Sequence, residues 1–342
     1  MPAAVYQGVM ACTVEDVPVP TPGPGEVLVE VSHCGVCGTD IHLFHAGWGR
    51  PGTIEGHEYS GRVVALGDAV TGWAVGDEVV GGPSPRCGTC EYCLAGRPSL
   101  CTARETPSLS SEPWQGAFAR YTKLPVAQLR RIPDGLAVRA AALAEPLAVA
   151  LHAITRSAPQ PGQRILITGA GPIGTLVLCA LRAKGIDDIT VSEPSPVRQS
   201  LARRLGAASV VTPSDLPSFR NPGEVRADGF NVVFEASGVE QAQEQALAQV
   251  RRGGTLMLVG AGPGLPRWSA SRILLNEIWL TGSYVYDDGG FEDALALLAS
   301  GAVPVDVLTE PEDVPLNGLL DAIHELAAGR VAGKVLVVPE VR

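Results

Sequence analysis

The chain has 342 residues, which is long for a single hydrophobic core, so we expect two domains. Its formal net charge of −10 argues against nucleic acid and against an anionic membrane as binding partners. The N-terminus lacks a basic segment followed by an apolar one, and the longest uncharged run contains glycines and a proline, which together favour a cytoplasmic protein with reduced thiols.

The first part of the chain is rich in Gly and Pro and carries short alternating apolar segments. Those at 26–31, 62–66 and 77–80 are predicted strands, separated by turn sequences such as PTPGPG. This pattern is typical of an irregular β-barrel with long loops. It ends in an Ala- and Leu-rich segment, RAAALAEPLAVALHAITR, which is predicted to be a helix broken near Pro146.

A mixed set of potential metal ligands occurs in this first part. The segment CGVCGTDIHLFHAG contains Cys37 and His42, and a Gly-His-Glu tripeptide places His57 beside Glu58. A thiolate, an imidazole and a carboxylate together suit zinc with one coordination position open for substrate. Taken singly, His57 could equally be a hydrogen-bonded core histidine, and Cys37 a small buried apolar residue.

Four further cysteines are crowded together in the spacing C-x2-C-x2-C-x7-C. Thiolates spaced so closely on a Gly-containing loop can bind one tetrahedral zinc at Zn–S distances of about 2.3 Å. Disulfides are disfavoured because bridges among near neighbours would close very small loops, and no secretory signal is evident. A closed four-thiolate site is structural, since no position remains for substrate. Its predicted ligands are Cys87, Cys90, Cys93 and Cys101.

From residue 164 onwards, strands alternate with helices. The predicted strands lie at 165–168, 189–193, 231–236, 255–259 and 278–282, and helices between them include 174–184 and 197–205. Such alternation predicts an α/β domain with a doubly wound parallel sheet, right-handed crossovers and both faces covered. The strand-like tail at 334–339 could return to the first domain.

A glycine-rich segment, G-A-G-P-I-G, follows the first of these strands and opens an apolar helix, as a dinucleotide fingerprint does. Gly169 would allow the tight turn, Gly171 the close approach of a pyrophosphate, and Gly174 the packing of the helix on the strand. The N-terminus of that helix attracts phosphates. The predicted cofactor contacts of this segment are Gly169, Gly171, Pro172, Ile173 and Gly174.

The next strand ends at Glu193, whose carboxylate is predicted to bind the ribose hydroxyls of adenosine. A carboxylate in this place repels the additional phosphate of NADP, which favours NAD. Arg198 could stack on the adenine or could accommodate that phosphate, so NADP stays open as the less favoured cofactor. An ordinary solvated charge at the end of a strand is the alternative interpretation of Glu193.

Together these motifs resemble the zinc-dependent medium-chain dehydrogenases of the alcohol dehydrogenase superfamily, most closely the branch of sorbitol, threonine and butanediol dehydrogenases. The resemblance covers nearly the whole chain in order: P-G-P-G-E-V-L-V, C-G-T-D-I-H, G-H-E, the four cysteines, E-P-L-A-V-A, G-A-G-P-I-G and the final G-K-V. It implies a GroES-like catalytic domain at 1–156, with a structural zinc lobe at about 86–102, and a Rossmann domain at 157–285. Residues 286–342 would return to the catalytic domain.

The resemblance also implies that Cys37 and His57 hold a catalytic zinc, which with the structural ion gives two zinc ions per chain. Glu58, within G-H-E, and Glu145, within E-P-L-A-V-A, alternate in the family as the carboxylate ligand or lie one water away. The sequence leaves open which of the two binds the resting metal.

Thr39 and His42 fit the proton relay of the family. Zinc lowers the pKa of a bound alcohol, the proton leaves through a hydroxyl and a histidine, and hydride passes to the nicotinamide. The implied activity is reversible oxidation of a small secondary alcohol, diol or polyol to its ketone with NAD, by a homodimer or homotetramer. Two other classes stay open: a zinc-independent quinone or enone reductase of the same fold using NADPH, and a non-catalytic nucleotide-binding member.

Three features depart from the family pattern. The loop between Cys37 and His57 is shorter, Glu replaces the commoner Asp at position 193, and segment 104–114 matches no familiar version. The shorter loop and the unusual segment are expected to reshape the substrate pocket. Trp48 and Trp114 are therefore candidates for its wall, with structural packing as the alternative.

Overall fold

The computed structural model describes residues 1–82, 87–103, 115–218, 221, 224 and 228–339. The segment 104–114, with the pocket candidate Trp114, therefore lies outside the described residues. Strands β1–β7 span Pro2–Gly8, Ala11–Asp16, Glu26–Gly35, Glu58–Leu66, Glu78–Gly81, Tyr121–Pro125 and Leu129–Arg131. Helices α1–α4 span Gly38–Ala46, Glu91–Leu94, Val138–Ala141 and Ala144–Ser157.

The second half of the chain alternates strands and helices. Strands β8–β13 span Ile165–Thr168, Ile189–Ser192, Ser209–Val211, Phe230–Glu235, Val250–Leu258 and Trp279–Gly282. Helices α5–α9 span Pro172–Ala183, Pro196–Arg204, Glu240–Gln249, Ala270–Asn276 and Gly290–Ala299. The last elements are α10 (Val305–Leu308), β14 (Val314–Pro315), α11 (Leu319–Ala327) and β15 (Leu336–Val338).

The first sheet has seven strands in the order β14-β15-β3-β4-β5-β7, with β6 pairing β3 outside this path. Neighbouring strands are antiparallel, except that β14 and β15 run parallel. Leu336 of β15 lies opposite Gly35 of β3, so the C-terminal tail joins this sheet. A core that includes Tyr6, Val63 and Phe118 packs against it.

The second sheet is parallel throughout, with the strand order β10-β9-β8-β11-β12-β13. The first strand of this half, β8, lies in the middle, and the later strands are added first on one side and then on the other. This is the doubly wound arrangement that the sequence predicts. All four residues of β8 are buried, as expected for a strand covered on both faces. The order reverses between β8 and β11, and the crevice at their carboxyl ends is where such sheets bind nucleotides.

The predicted helix break near Pro146 is wrong in its position. Helix α4 runs unbroken from Ala144, and Pro146 lies in its first turn, where an N–H would have had no intrahelical acceptor. The interruption lies instead at Ala142 and Leu143, between α3 and α4.

The core of the second sheet extends beyond its own strands. It includes Leu147 of α4, Leu176 of α5 and Phe291 of α9, so helices on both sides of the expected boundaries at 156 and 285 pack together. In the described part of the chain, none of the helices combines the length and the apolar character that crossing a membrane requires.

Candidate functional site

Cys37 is the N-cap residue of helix α1. Its Sγ accepts a hydrogen bond from the N–H of Thr39 at 3.4 Å, and its own N–H donates to Asp40 Oδ2 at 2.8 Å. This reciprocal pair is a capping box with a cysteine in the place usually taken by serine or threonine. The local sequence C-G-T-D therefore both starts the helix and fixes the position of the thiol.

His57 and Glu58 bring their side chains to this thiol. One donor atom from each of Cys37, His57 and Glu58 lies within 4.8 Å of the others. Glu58 begins β4, lies opposite Gly35 of β3, and is 1% exposed. A thiol, an imidazole and a carboxylate thus converge where helix α1 and strand β4 begin.

The charges around this cluster favour a cation. Burial alone would lower the pKa of His57, but Cys37 and then Asp40 and Glu145 raise it well above its ordinary value. Burial raises the pKa of Asp40 and of Glu145 to about 7. A divalent ion would stabilise the ionised forms of these groups, and the donor set is one that zinc prefers. The residues present therefore fit the zinc that the sequence predicts.

Glu145 lies in the first turn of α4 and is 4% exposed. It is close enough to His57 and Glu58 to influence them electrostatically, yet it is outside the group of three converging donors. Of the two carboxylates that the sequence leaves open, the structure brings Glu58 to Cys37 and His57.

His42 connects helix α1 to the second sheet. Its Nε2 lies 2.8 Å from the carbonyl oxygen of Ala261, which follows β12. Because a carbonyl only accepts, Nε2 carries the hydrogen, and Nδ1 of the neutral ring can accept a proton. Trp48 packs on the same ring at a centroid distance of 4.9 Å. Thr39 is exposed and, three residues before His42, lies on the same side of α1.

The glycine turn after β8 has the geometry that a dinucleotide fingerprint requires. Gly169 adopts a φ of +93°, which favours glycine, and Gly171 is the N-cap of α5, followed by Pro172 and Ile173. A Cβ on Gly174 would collide with the carbonyl oxygen of Gly169, so the helix packs on the turn only with glycine there. A Cβ on Gly171 would meet nothing within 4 Å. The turn therefore leaves room directly in front of the helix N-terminus.

Glu193 and Arg198 lie beside this turn but already have protein partners. Glu193 is 3% exposed, and its two oxygens accept hydrogen bonds from the N–H groups of Ala170, at 2.7 Å, and Ser195, at 2.8 Å. It is therefore not a solvated strand-end charge. The guanidinium of Arg198 donates to the carbonyls of Leu326 and Val331, near the end of α11. Cofactor contacts by either residue stay predictions.

The second metal-ligand cluster consists of the four cysteines predicted to bind structural zinc, whose sulfurs all lie within 4.8 Å of one another. Cys87 Sγ and Cys93 Sγ are 3.9 Å apart, close to the edge of about 3.8 Å that a tetrahedral Zn–S distance of about 2.3 Å gives. The N–H groups of Thr89 and Cys90 donate to Cys87 Sγ and lower its pKa to about 5. These residues, Cys87, Cys90, Cys93 and Cys101, fit a structural zinc.

Asp287, between β13 and α9, attaches this cysteine lobe to the second half of the chain. It accepts hydrogen bonds from Arg97 Nε at 3.3 Å and from the N–H of Ser99 at 3.1 Å, and it lies 3.8 Å from His152 Nε2. Burial alone would raise the pKa of Asp287, but the bonds to Ser99 and the charges of His152 and Arg97 lower it. The ionised carboxylate is therefore the form that stabilises the contact.

We expect Asp287→Asn to lower the free energy of unfolding by about 1–2 kcal/mol. The loss is no larger because Arg97 is partly exposed, so that solvent screens its ion pair with Asp287. A group with a lowered folded pKa stabilises the protein above its unfolded pKa, and that stabilisation is lost as the pH falls. The difference in melting temperature between wild type and variant should thus be present at neutral and mildly acidic pH and shrink as the pH falls below about 4. A difference that did not depend on pH would contradict the ionic contribution.

Sequence reasoning missed one residue of the site, Lys334. Its side chain is 2% exposed and forms an ion pair with Glu58. The signal was present, because Lys334 is one of only three lysines and begins an otherwise apolar strand-like tail. Its partner could not be identified, because the contact joins opposite ends of the chain.

Comparison with known proteins agrees with this architecture. The family model "Alcohol dehydrogenase GroES-like domain" matches residues 23–134, and "Zinc-binding dehydrogenase" matches residues 172–300. Sorbitol dehydrogenase of Bacillus subtilis is 36% identical over 318 residues, which cover 89% of this chain and 87% of that protein.

Solved structures extend the likeness to three dimensions. The 2R,3R-butanediol dehydrogenase from Bacillus subtilis has 30% identity and a TM-score of 0.86, with 99% of each chain covered. The acetophenone reductase from Geotrichum candidum, in complex with NAD, has 25% identity and a TM-score of 0.86, covering 98% of this chain and 96% of that one. These findings confirm the resemblance, the GroES-like and Rossmann fold class and the NAD(P)-linked enzyme class predicted from the sequence. The chain belongs to the zinc-type medium-chain dehydrogenases of the alcohol dehydrogenase superfamily, in their sorbitol and polyol branch.

Proposed function

We propose that this enzyme reversibly oxidises a secondary alcohol, diol or polyol to its ketone with NAD, using Cys37, His57 and a glutamate as ligands of a catalytic zinc. The observation that carries the proposal is that His57 and Glu58, at the start of β4, meet Cys37 at the N-terminus of α1, the same helix whose His42 contacts Ala261, just after β12 of the parallel sheet. A metal centre and a nicotinamide cofactor bound in the crevice would thus meet along one short helix.

The residues of α1 would move the proton. Zinc, when bound, supplies Lewis acidity, which lowers the pKa of an alcohol. The Thr39 hydroxyl can accept the alcohol proton and pass its own to Nδ1 of His42, because the Ala261 carbonyl keeps the hydrogen of that ring on Nε2. Trp48 orients the imidazole by packing against it. The convergence of Cys37, His57 and Glu58 disfavours the zinc-independent reductase, and the Thr39–His42 pair disfavours a non-catalytic protein.

NAD is the proposed cofactor in preference to NADP. Glu193 ties the glycine turn to the loop after β9 through its bonds to Ala170 and Ser195. A carboxylate at this position repels a 2′-phosphate, while its remaining lone pairs can accept hydrogen bonds from the ribose hydroxyls. Arg198 is engaged with the carbonyls near the end of α11, so it is not oriented toward a phosphate in this structure.

The proposal also includes a division of the chain, a location and an assembly. The domains are a catalytic domain at 1–156, a Rossmann domain at 157–285 and a return segment at 286–342. The proposed assembly is a cytoplasmic homodimer or homotetramer without nucleic-acid or membrane partners. The assembly is supported by the edge strand β13, where Trp279 is 70% exposed, and by the nearby Leu274 and Leu275 of α8. Apolar surface beside the edge of a sheet is typical of a protein interface.

A substrate panel tests the proposal. Zinc-replete enzyme is assayed with secondary alcohols, vicinal diols, polyols and L-threonine, each with NAD and with NADP, by the absorbance of the reduced nicotinamide. We expect turnover on the diol or polyol class. The value of kcat/KM for NAD should be at least about tenfold above that for NADP, because the carboxylate of Glu193 repels the 2′-phosphate of NADP. Reduction of quinones or enones by NADPH after zinc removal would instead favour the alternative reductase.

A further inference from the structure

Glu235 is a buried carboxylate that the proposed mechanism leaves unused. It is the last residue of β11, beside β8 at the point where the strand order reverses, and it is 0% exposed. Burial raises the pKa of its carboxyl, although the hydrogen bonds that it accepts from Ser237 and Gly238 oppose this shift. A carboxylate without contact to water is destabilising unless donors surround it, so the groups that donate to Glu235 indicate its role.

The carboxylate holds the bend at 237–238 that follows β11. Its Oε1 accepts hydrogen bonds from the hydroxyl of Ser237 and, at 2.9 Å, from the N–H of Ser237. Both oxygens lie 3.2 Å from the N–H of Gly238, and Thr168 at the end of β8 donates to Oε1 at 3.4 Å. Backbone N–H groups only donate, so this bend requires an acceptor at position 235.

The bend packs on the loop at 260–262, which follows β12. Gly238 has a φ of +69°, and a Cβ on it would collide with the carbonyl oxygen of Ala261. Cβ atoms on Gly260 and Gly262 would collide with the backbone of Gly238 in turn. The carbonyl of Glu235 also accepts from the N–H of Gly260 at 2.8 Å. The position of the Ala261 carbonyl therefore follows the position of the bend that Glu235 holds.

The Ala261 carbonyl is the acceptor that the proton route depends on. It lies 2.8 Å from Nε2 of His42 and keeps the hydrogen of the neutral ring there, which leaves Nδ1 to accept the proton from Thr39. If this carbonyl moved away, the hydrogen could occupy either nitrogen of His42. A ring with its hydrogen on Nδ1 cannot accept a proton from Thr39 through that atom.

We propose that Glu235 is a positioning residue for the proton transfer. By holding the bend at 237–238 it fixes the carbonyl of Ala261, and this carbonyl fixes the tautomer of His42. The inference rests on the proposed proton route and adds to it the residue that sets the geometry of its last member. Glu235 acts through His42 and exchanges no proton with the substrate.

The test compares variants that reach the Ala261 carbonyl in different ways. Glu235→Met removes both acceptor oxygens at similar side-chain length, and Gly238→Ala keeps the carboxylate but pushes the carbonyl directly. Ser237→Ala is the matched control, because it removes only a hydroxyl and leaves both backbone N–H bonds to Glu235. His42→Gln shows how a lost proton route behaves. For each protein kcat with saturating NAD is measured from about pH 6 to 10, with and without added imidazole.

Glu235→Met and Gly238→Ala are expected to lower kcat at pH 7 by about 10–100-fold, part of the about 10²–10⁴-fold that a general acid–base group contributes. In both, kcat should rise steeply with pH and increase with imidazole, as in His42→Gln, because a base from solution then takes the proton. Ser237→Ala should stay within about threefold of wild type. Adding His42→Gln to Glu235→Met should change kcat by less than about threefold, since residues that act as a unit are not additive.

The tautomer of His42 gives a readout that does not depend on activity. Nitrogen NMR of protein with labelled histidine distinguishes a ring nitrogen that carries hydrogen from one that does not. Wild type should show the hydrogen of His42 on Nε2, and Glu235→Met should show it shared between the two nitrogens. The spectrum of His42→Gln identifies the signal by its absence.

Glu235→Met with the wild-type pH profile, no response to imidazole and an unchanged His42 tautomer would overturn the inference, because Glu235 would then only stabilise the fold. If Glu235→Met fails to fold, Glu235→Gln decides, since it keeps one acceptor oxygen: stimulation by imidazole supports the inference and its absence removes it. The proposed proton route fails separately if His42→Gln keeps the wild-type kcat, and the inference then falls with it. Impaired His42→Gln beside unimpaired Glu235→Met removes the inference alone.

Discussion

Cys37→Ser is expected to reduce kcat by about 10³-fold or more while leaving the fold intact. A catalytic metal contributes several kcal/mol of transition-state stabilisation, and each 1.4 kcal/mol corresponds to about tenfold in rate. The fold should survive because Cys37 is also the N-cap of α1, where a serine oxygen accepts the same hydrogen bond from Thr39. Steady-state kinetics and a thermal melt on one preparation check both parts.

Cys93→Ser is the matched control, since it makes the same chemical change in the other cluster. Its sulfur lies 3.9 Å from Cys87 Sγ within the four-cysteine lobe. We expect the melting temperature to fall by roughly 5–10 °C, because loss of a structural metal ligand belongs to the most destabilising class of substitution. At a temperature where the variant is still folded, kcat should stay within about threefold of wild type. Near-normal turnover by Cys37→Ser would refute the catalytic assignment.

Gly171→Val is expected to abolish tight NAD binding with only a small loss of stability, since valine is a poorer N-cap residue than glycine. Gly171 has a φ of −71° and a ψ of −176°, which valine adopts readily, and its Cβ would meet no atom within 4 Å. The isopropyl group would instead fill the space through which a pyrophosphate approaches the N-terminus of α5. We expect Kd for NAD, measured by calorimetry, to rise by about 100-fold or more, which is about 2.7 kcal/mol.

Gly174→Ala provides the contrasting control for this prediction. Its Cβ would collide with the carbonyl oxygen of Gly169, so helix α5 would have to shift on β8. We expect a clear fall in melting temperature for Gly174→Ala and a much smaller one for Gly171→Val. Gly171→Val that binds NAD with the wild-type Kd would show that the cofactor does not occupy this turn.

The nucleotide-binding half was predictable because several local signals agree there. The apolar run of β8, the glycine turn and the apolar helix α5 follow one another directly, and the structure places them within two residues of the prediction. Strand β12 was predicted less well, since it begins at Val250, five residues earlier than expected. The sequence did not indicate this part of the strand because Arg251 to Gly253 are exposed and carry no apolar pattern. Pattern predicts a strand only as far as one of its faces is buried.

The metal cluster was predictable only in part. The residue types of Cys37, His57 and Glu58 indicated a ligand set, and the structure brings those three together. The contribution of Lys334 was beyond the reach of sequence reasoning, because it depends on β15 pairing with β3 and on the missing side chain of Gly35. Spacing along the chain carries no information about such a contact across a sheet.

The measurement that tests the central claim most directly is a zinc count on purified wild type, Cys37→Ser and Cys93→Ser, with NAD-dependent polyol oxidation recorded on the same samples. Two zinc ions in active wild type and one in inactive Cys37→Ser would be the predicted result, with Cys93→Ser also losing one ion but keeping activity while folded. Wild type that oxidises a polyol with a single zinc, or Cys37→Ser that keeps both ions, would contradict the account.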